Sequence, residues 1–170
     1  MSARAADPAA CVAALADLLL LRGEWLAVAE SCTGGWLAQE LTALAGSSQW
    51  FERGLVTYSN AAKRELLGVP EATLTAHGAV SEATVRAMAL GVLARAPVDW
   101  SVAISGVAGP AGGSPEKPVG TVCLAWAGKA SGCEVQTCHF AGDREAVRRQ
   151  AVLHALHGLL ARMENSSLTA

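Results

Sequence analysis

The sequence predicts one α/β domain in which helices cover both faces of a mixed, mainly parallel sheet. Short apolar runs alternate with segments whose apolar residues recur at helical spacing. Hydrophobic residues make up 52% of the chain, and its 170 residues are enough for one substantial core. We therefore expect a single three-layer α/β/α domain over residues 1–164 and a flexible tail over residues 165–170.

The first half of the chain alternates helix and strand. Asp7-Pro8 is typical of a helix start, because a capping carboxylate precedes proline at the first helical position, and this helix ends before Gly23. Asn60 is expected to cap a short helix that carries Lys63 and ends at Gly68-Val-Pro70. Between them we predict a strand over 24–30, a helix over 35–45 and a strand over 54–59.

The second half begins with a helix predicted from Ser81 to Ala94. The turn Gly128–Gly132 joins two apolar runs in an antiparallel hairpin, which makes the sheet mixed. Asp143 is expected to cap a terminal helix whose apolar positions run from Val147 to Leu160. The strands of this half are predicted over 99–105, 119–127 and 132–140.

Charge and cysteine usage restrict the partners. A net charge of −2 gives no general attraction to nucleic acid or anionic membranes, so any phosphate must be bound locally. The longest apolar run, over 12–21, is interrupted by Asp17 and is shorter than the roughly 20 residues of a bilayer span. Five cysteines without a CxxC pair indicate a reducing cytoplasm. We expect a small-molecule partner, no metal and no cofactor.

Two loops rich in hydroxyl and glycine residues follow apolar runs. The first, Glu30-Ser-Cys-Thr-Gly-Gly35, joins a strand to a helix whose first N–H groups suit a phosphate or carboxylate. The second begins at Ser105 and Gly106 and carries further glycines at positions 109, 112 and 113. Open α/β sheets bind ligands at such strand ends. The alternative for the first loop is an ordinary N-cap at Ser31 or Thr33, with its glycines serving only the turn.

Five ordered blocks carry a resemblance to a known family. The blocks are AESCTGG at 29–35, GSSQWFERGLVTYSNAAKRELLGV at 46–69, HGAVSEATVRAMA at 77–89, ISGVAGPAGGSPEKPVGTV at 104–122 and FAGDREAVRRQA at 140–151. With these blocks the chain resembles the C-terminal domain of the competence and damage inducible protein CinA, a family of nicotinamide-nucleotide amidohydrolases. The resemblance implies a three-layer fold, a homodimer, and hydrolysis of the carboxamide of nicotinamide mononucleotide to nicotinic acid mononucleotide and ammonia.

The resemblance also implies a catalytic set for a metal-free mechanism. Ser48 is assigned as the nucleophile and Lys63 as its base, which requires desolvation or nearby positive charge to lower the lysine pKa from about 10.4. Tyr58 relays a proton or orients the lysine. Ser31 is the rival nucleophile, because a helix N-terminus stabilises an alkoxide. Cys32 is interpreted as a packing residue.

Substrate binding is assigned to the two loops. The 5′-phosphate is expected at Thr33, Gly34 and Gly35 or at the second loop, with Arg144 or Arg148 supplying charge. Two alternatives remain: an amidase for a different nucleotide amide, and a nucleotide-binding or regulatory domain without turnover. The residues assigned to substrate binding are Glu30, Thr33, Gly34, Gly35, Ser105, Gly106, Gly109, Gly112, Gly113 and Arg148.

Overall fold

The computed structural model describes residues 7–166. Within these residues there are five strands and six α-helices, together with a 3₁₀ turn at Ser47–Gln49. In chain order the elements are α1 (Pro8–Arg22), β1 (Leu26–Glu30), α2 (Trp36–Ala43), β2 (Phe51–Val56), α3 (Asn60–Leu67), α4 (Glu71–His77), α5 (Glu82–Arg95), β3 (Trp100–Gly106), β4 (Thr121–Gly128), β5 (Gly132–His139) and α6 (Arg144–Ser166).

The strands form one sheet in the order β2-β1-β3-β4-β5. Strand β1 is parallel to both β2 and β3, whereas β4 is antiparallel to β3 and to β5. Four of the five strands therefore point the same way. The predicted hairpin of the last two strands and the mixed, mainly parallel sheet are confirmed.

Two apolar clusters lie on opposite faces of the sheet, which confirms the three-layer α/β/α fold. One face is covered by α1, α2 and α6, whose buried side chains include Leu15, Leu37 and Leu156. The other is covered by α3, α4 and α5, with Leu67 and Met88 among the buried residues. All five residues of β1 and all eight of β4 are buried, as expected for strands covered on both faces.

The connections on either side of β1 cross opposite faces of the sheet. Helix α2 links β1 to β2 over one face, and the α3–α5 segment links β2 to β3 over the other. The strand order therefore reverses between β1 and β3, which is where open α/β sheets bind ligands, and we call the space outside the carboxyl ends of these two strands the crevice. Both predicted loops begin at this crevice, because Ser31 follows β1 and Ser105 lies one residue before the end of β3.

Several predicted boundaries are confirmed and others are corrected. Asp7 and Ser81 cap α1 and α5 through their side chains, as expected. The cap of α3 is Ser59, not Asn60, because the Ser59 side chain accepts a hydrogen bond from the Ala62 N–H. Strand β2 begins at Phe51 and ends at Val56, so it lies earlier than predicted.

Helix α4 was not predicted, since seven residues show too little periodicity. Helix α6 includes Asn165 and Ser166, the first two positions of the predicted tail. The Ser166 hydroxyl accepts a hydrogen bond from Arg22 at the end of α1, 3.0 Å away. Residues 1–6 of the predicted domain and 167–170 of the predicted tail lie outside the described residues. Within residues 7–166, no helix is both long and apolar enough to cross a membrane.

Candidate active site

A buried lysine contacts a serine hydroxyl at the carboxyl end of β1. Lys63 Nζ donates hydrogen bonds to Ser31 Oγ at 3.2 Å and to the Thr57 carbonyl oxygen at 2.8 Å. Lys63 is 1% exposed and Ser31 8%. Helix α3 carries the lysine back over the end of the sheet, so two residues 32 positions apart in sequence meet at one strand end.

The surroundings of Lys63 favour its neutral form. Burial lowers the pKa of the Lys63 amine below its usual value of about 10.4. In the part of the chain that the structure describes, no carboxylate forms an ion pair with this lysine. A neutral amine beside a hydroxyl is able to take its proton, which is the arrangement of a general base and a nucleophile.

The loop that carries Ser31 is tied to its neighbours by backbone hydrogen bonds. The Ser31 N–H donates to the Ile104 carbonyl of β3 at 3.0 Å, and the Gly34 N–H donates to the Ser31 carbonyl at 3.0 Å. Gly34 and Gly35 have φ values of +60° and +100°. Only glycine adopts this backbone region without strain, so the two residues let the chain turn sharply from β1 into α2.

The Glu30 carboxylate binds the N-terminus of α2, where the sequence predicted a phosphate. Its carboxylate, 1% exposed, accepts hydrogen bonds from the N–H groups of Gly35, Leu37 and Ala38. The Gly34 N–H is already bonded to Ser31, as noted above. The backbone N–H groups of Gly34 and Gly35, which were expected to bind a phosphate, are therefore already bonded within the protein, and the Glu30 carboxylate caps α2.

Cys32 does not compete with Ser31 as a nucleophile. The side chain is 6% exposed and belongs to the apolar cluster beneath α2 and α6. Burial raises the pKa of the Cys32 thiol to about 11. The thiol is therefore protonated near neutral pH and lacks the thiolate that nucleophilic attack requires. This placement agrees with the packing role predicted for Cys32.

Ser48 lies at the opposite end of the sheet from Lys63. Ser48 is exposed in the 3₁₀ turn before β2, whereas Lys63 follows the other end of that strand. The six residues of β2, extended at about 3.3 Å per residue, separate the two positions by roughly 20 Å. The predicted pairing of Ser48 with Lys63 is therefore corrected, because the serine that contacts the lysine is Ser31.

Tyr58 lies past the end of β2, at the mouth of the crevice. Its side chain is 61% exposed, and its hydroxyl accepts a hydrogen bond from Arg144 Nη2 at 3.1 Å. Arg144 also donates from Nη1 to the Gly109 carbonyl at 2.8 Å. The arginine thus bridges the end of β2 and the second glycine loop. Tyr58 is held at the rim of the site, and the hydrogen bonds of Lys63 go to Ser31 and Thr57 instead.

The second loop is shaped by glycines and by contacts to the chain before α5. Ser105 is 1% exposed, and its hydroxyl donates to the Ala79 carbonyl at 2.8 Å. A Cβ on Gly106 would lie 2.7 Å from a Val122 methyl carbon, so the close pairing of β3 with β4 requires glycine there. The remaining glycines that were assigned to substrate all have positive φ values: Gly109, Gly112 and Gly113.

A cavity of about 470 Å³ lies beside this loop and the start of α6. Its lining includes Ala108, Pro110, Val119 and Arg144. The loop is fastened on its far side, where Lys117 Nζ donates to the His77 carbonyl at 2.7 Å. The cavity therefore joins apolar walls to a guanidinium group at the edge of the crevice.

Arg148 binds the first loop rather than the crevice. Its Nε donates to the Cys32 carbonyl and its Nη2 to the Thr33 carbonyl, both at 3.0 Å. The guanidinium carbon also lies 5.3 Å from the centre of the Trp36 ring. The sequence marked Arg148 as a charge for the substrate, but it gave no signal for this backbone contact, because the partners lie 116 and 115 residues away.

A comparison with known families identifies the family of this chain. The family described as the CinA C-terminal domain matches residues 9–163, nearly the whole chain. The chain belongs to this family. As a CinA C-terminal domain, it shares 57% identity over 142 residues with a protein of Enterobacter agglomerans named nicotinamide-nucleotide amidohydrolase PncC. That match covers 84% of this chain and 87% of the relative.

Solved structures and longer relatives support the same assignment. A crystal structure of a CinA superfamily protein from Klebsiella pneumoniae matches with a TM-score of 0.89 at 43% identity, covering 94% of this chain and 99% of that one. A putative competence-damage inducible protein of Symbiobacterium thermophilum is 53% identical over 151 residues, covering 84% of this chain but 35% of the relative. The CinA C-terminal domain thus also occurs within longer proteins.

Proposed function

We propose that this CinA C-terminal domain hydrolyses the carboxamide of nicotinamide mononucleotide, giving nicotinic acid mononucleotide and ammonia. The observation that carries the proposal is the contact between Lys63 Nζ and Ser31 Oγ inside a buried site without a paired carboxylate. Relatives that share more than half of their aligned residues with this chain bear the name nicotinamide-nucleotide amidohydrolase. The chemistry of the site and the name of these relatives point to the same reaction.

In the first step, Ser31 attacks the amide carbon. The neutral Lys63 amine takes the hydroxyl proton while Oγ forms a bond to the carbonyl carbon, and negative charge moves to the carbonyl oxygen. When this tetrahedral intermediate collapses, the Lys63 ammonium returns the proton to the leaving nitrogen. The carbon–nitrogen bond breaks, ammonia leaves, and the acyl group remains on Ser31 as an ester.

In the second step, water replaces ammonia as the reacting group. Lys63 takes a proton from the water, whose oxygen attacks the ester carbon, and the proton then passes to Ser31 Oγ as the ester bond breaks. The net reaction consumes one water and releases one ammonia and one acid. Because the same lysine serves both halves, it must be neutral at the start of each half.

The nucleotide is placed across the crevice between the ends of β1 and β3. Glu30 fills the N-terminus of α2, so we assign the 5′-phosphate to the second loop. The exposed Arg144 and the backbone at Gly109–Gly113 supply charge and close approach there. The pyridine ring then lies nearer Ser31. Tyr58, which shares Arg144 with the loop, borders the entrance.

The direct test measures ammonia release from nicotinamide mononucleotide, with free nicotinamide as the control substrate. Ser31→Ala and Lys63→Ala are each expected to lower kcat by about 10³-fold or more, because each removes one half of a nucleophile–base pair. Ser48→Ala is the matched serine control and is expected to retain wild-type turnover. Full activity of Ser31→Ala with loss in Ser48→Ala would overturn the assignment.

The outcome for the wild-type protein separates the alternative functions. Release from the nucleotide but not from nicotinamide supports a nucleotide amidase. No release by folded protein that still binds the nucleotide would favour a binding or regulatory domain, and release from another nucleotide amide alone would change the substrate. Within residues 7–166 no cluster of three metal-binding side chains is present, and we expect the activity to survive EDTA.

We also propose that the protein acts in the cytoplasm as a homodimer. The five cysteines are all free thiols, which supports a reducing compartment. The dimer is expected from the resemblance to the family. Light scattering of the purified protein should give twice the 17.4 kDa mass of the chain, and a single-chain mass at all concentrations would contradict the dimer.

A further inference from the structure

We propose that Arg148 is a positioning residue that holds the Ser31 loop so that Ser31 Oγ stays against Lys63. The inference rests on the function proposed above for Ser31 and Lys63. It reverses the expectation that Arg148 supplies charge to the substrate phosphate. Arg148 acts through the backbone of the residues that follow the nucleophile, and it touches no reacting atom.

The contact is directed at two consecutive peptide groups. The guanidinium Nε and Nη2 each donate a 3.0 Å hydrogen bond, one to the carbonyl of Cys32 and the other to the carbonyl of Thr33. Trp36 lies under the guanidinium at 5.3 Å, which adds a cation–π contact. A planar fork held on three sides has little freedom to turn toward a ligand in the crevice.

The two carbonyls depend on this arginine. Cys32 and Thr33 are 6% and 0% exposed, so water does not satisfy their backbone. Among the described residues, the Cys32 carbonyl accepts a hydrogen bond from Arg148 alone. The Thr33 carbonyl accepts one from Arg148 and a second from the Trp36 N–H, at 3.1 Å. Removing the guanidinium leaves a buried carbonyl without a hydrogen bond. The free-energy cost of that unpaired carbonyl favours conformations in which the loop moves.

Movement of this loop matters because the segment that carries Ser31 is held from both faces of the sheet. Lys63 contacts Oγ from α3, and Arg148 contacts the following peptides from α6 on the opposite face of the sheet. A displacement of about 1 Å in a reacting group costs on the order of 10²-fold in rate. Arg148 therefore influences the rate of the chemical step, while the affinity for the nucleotide depends on other groups.

The test compares Arg148→Ala and Arg148→Lys with Arg149→Ala. Arg149 is the neighbouring exposed arginine of α6, and its guanidinium pairs with Glu145 at the helix surface. Both Arg148 variants are expected to lower kcat for nicotinamide mononucleotide by about 10²-fold with KM nearly unchanged. Lysine fails because it has no planar fork for two carbonyls. Arg149→Ala is expected to retain wild-type kcat and KM.

A second readout does not depend on the natural substrate. A small fluorophosphonate forms an Oγ–P bond with an activated serine as fluoride leaves and the serine proton passes to the base. Mass spectrometry of the labelled Ser31 peptide gives the rate of this reaction. Arg148→Ala is expected to slow labelling by about the same 10²-fold, and added guanidinium chloride, but not sodium chloride, is expected to restore part of the rate.

The outcomes separate the two proposals. If Arg148→Ala raises KM at unchanged kcat, the arginine is a substrate ligand and the positioning role is overturned. The positioning role is also overturned if Ser31 of Arg148→Ala is labelled at the wild-type rate. It is overturned as well if guanidinium does not restore the lost rate in Arg148→Ala that is folded by circular dichroism. If wild-type protein releases no ammonia but is labelled at Ser31, the proposed substrate fails while the labelling rates still test Arg148. Wild-type protein that resists labelling overturns both.

Discussion

Lys63 lies where burial disfavours the charged form of its amine and lowers its pKa. Its two hydrogen-bond acceptors are a serine hydroxyl and a peptide carbonyl, and neither supplies the negative charge that would hold an ammonium ion in a buried site. The lysine is retained at a cost in desolvation that a leucine at the same position would avoid. Such a cost is typical of residues kept for chemistry rather than for stability.

The direction of the Lys63 pKa predicts how activity depends on pH. Since the neutral amine is the base, kcat/KM is expected to rise with pH through a bend that lies below about 10.4, the usual pKa of lysine. The measurement is the initial rate of ammonia release across pH. Lys63→Arg keeps the charge but does not deprotonate, so it is expected to be inactive throughout. A profile that is flat over the whole range would contradict a lysine base.

The same pKa shift has a consequence for stability with a definite sign. The folded protein binds fewer protons than the unfolded chain between the lowered Lys63 pKa and about 10.4, so the free energy of unfolding increases with pH across that interval. Lys63→Met is expected to remove this part of the slope in urea unfolding measured at several pH values. An unchanged slope in Lys63→Met would assign the pH dependence to other groups.

Glu30 was assigned to substrate binding from the sequence, which gave no signal for its hydrogen bonds to the start of α2. Its carboxylate accepts three hydrogen bonds from backbone N–H groups at the start of the helix that follows it. Glu30→Gln is expected to lower the free energy of unfolding by about 2–3 kcal/mol, because charge-assisted bonds to a helix N-terminus are lost in a buried place. Urea unfolding measures this, with exposed Glu65→Gln as the control. Equal stabilities would show that the carboxylate is not needed as a cap.

The sequence singled out both Ser31 and Lys63 but paired Lys63 with Ser48, whereas in the structure Lys63 contacts Ser31. Local patterns placed Ser31 at a strand end and Lys63 on the following helical segment, and these placements are confirmed. The pairing with Ser48 came from the family resemblance, and no local pattern shows which serine the fold brings to Lys63. Strand β2 lies between Ser48 and Lys63 in sequence and separates them by its whole length.

At the scale of elements, the packing of α3 on α5 decides where Lys63 lies. Gly91 of α5 is the point of closest approach, because a Cβ built there would lie 2.1 Å from the Leu67 carbonyl oxygen at the end of α3. The backbone of one helix thus rests directly against the other. Lys63 is one turn before Leu67 in α3. The distance between α3 and α5 therefore sets how far Lys63 lies from the end of β1.

This contact gives a prediction whose sign opposes helix propensity. Gly91→Ala would gain about 1 kcal/mol in an unconstrained helix, yet here the added methyl group forces α3 away. We expect a net loss of about 1–3 kcal/mol in the free energy of unfolding, together with lower kcat. Urea unfolding and ammonia release measure the two effects. Leu90→Ala, on the exposed side of α5, is the control, and a stabilised Gly91→Ala would contradict the close approach.

The elements that the sequence placed well are those with strong local signals. Helices α1 and α5 were located through Asp7 and Ser81, whose capping side chains are encoded one residue before each helix. Strand β2 was displaced because it lies at the edge of the sheet and includes Glu52 and Arg53, so its partly exposed residues lack a clean apolar alternation. Edge exposure is a property of the assembled sheet that no local window contains.

At the scale of the molecule, the site lies on the most deeply covered part of the sheet. Ser31 follows β1 and Ser105 is the penultimate residue of β3, and these strands are neighbours inside the sheet with helices on both faces. Strands β2 and β5 form the edges and are partly exposed. Reacting groups held at the ends of central strands keep their separation better than groups on loops alone, which suits a mechanism that depends on a 3.2 Å contact.

This arrangement predicts the pattern of amide hydrogen exchange. Peptides from β1, β3 and β4 are expected to exchange most slowly, near the rate set by global unfolding, while those from β2 and β5 exchange faster through local opening. Mass spectrometry of exchanged protein at two concentrations measures both the ranking and its dependence on association. If β2 or β5 is as protected as β4 only at high concentration, a second copy of the chain covers that edge, because the helices of one copy leave it exposed. Equal protection at every concentration would contradict the ranking of the strands.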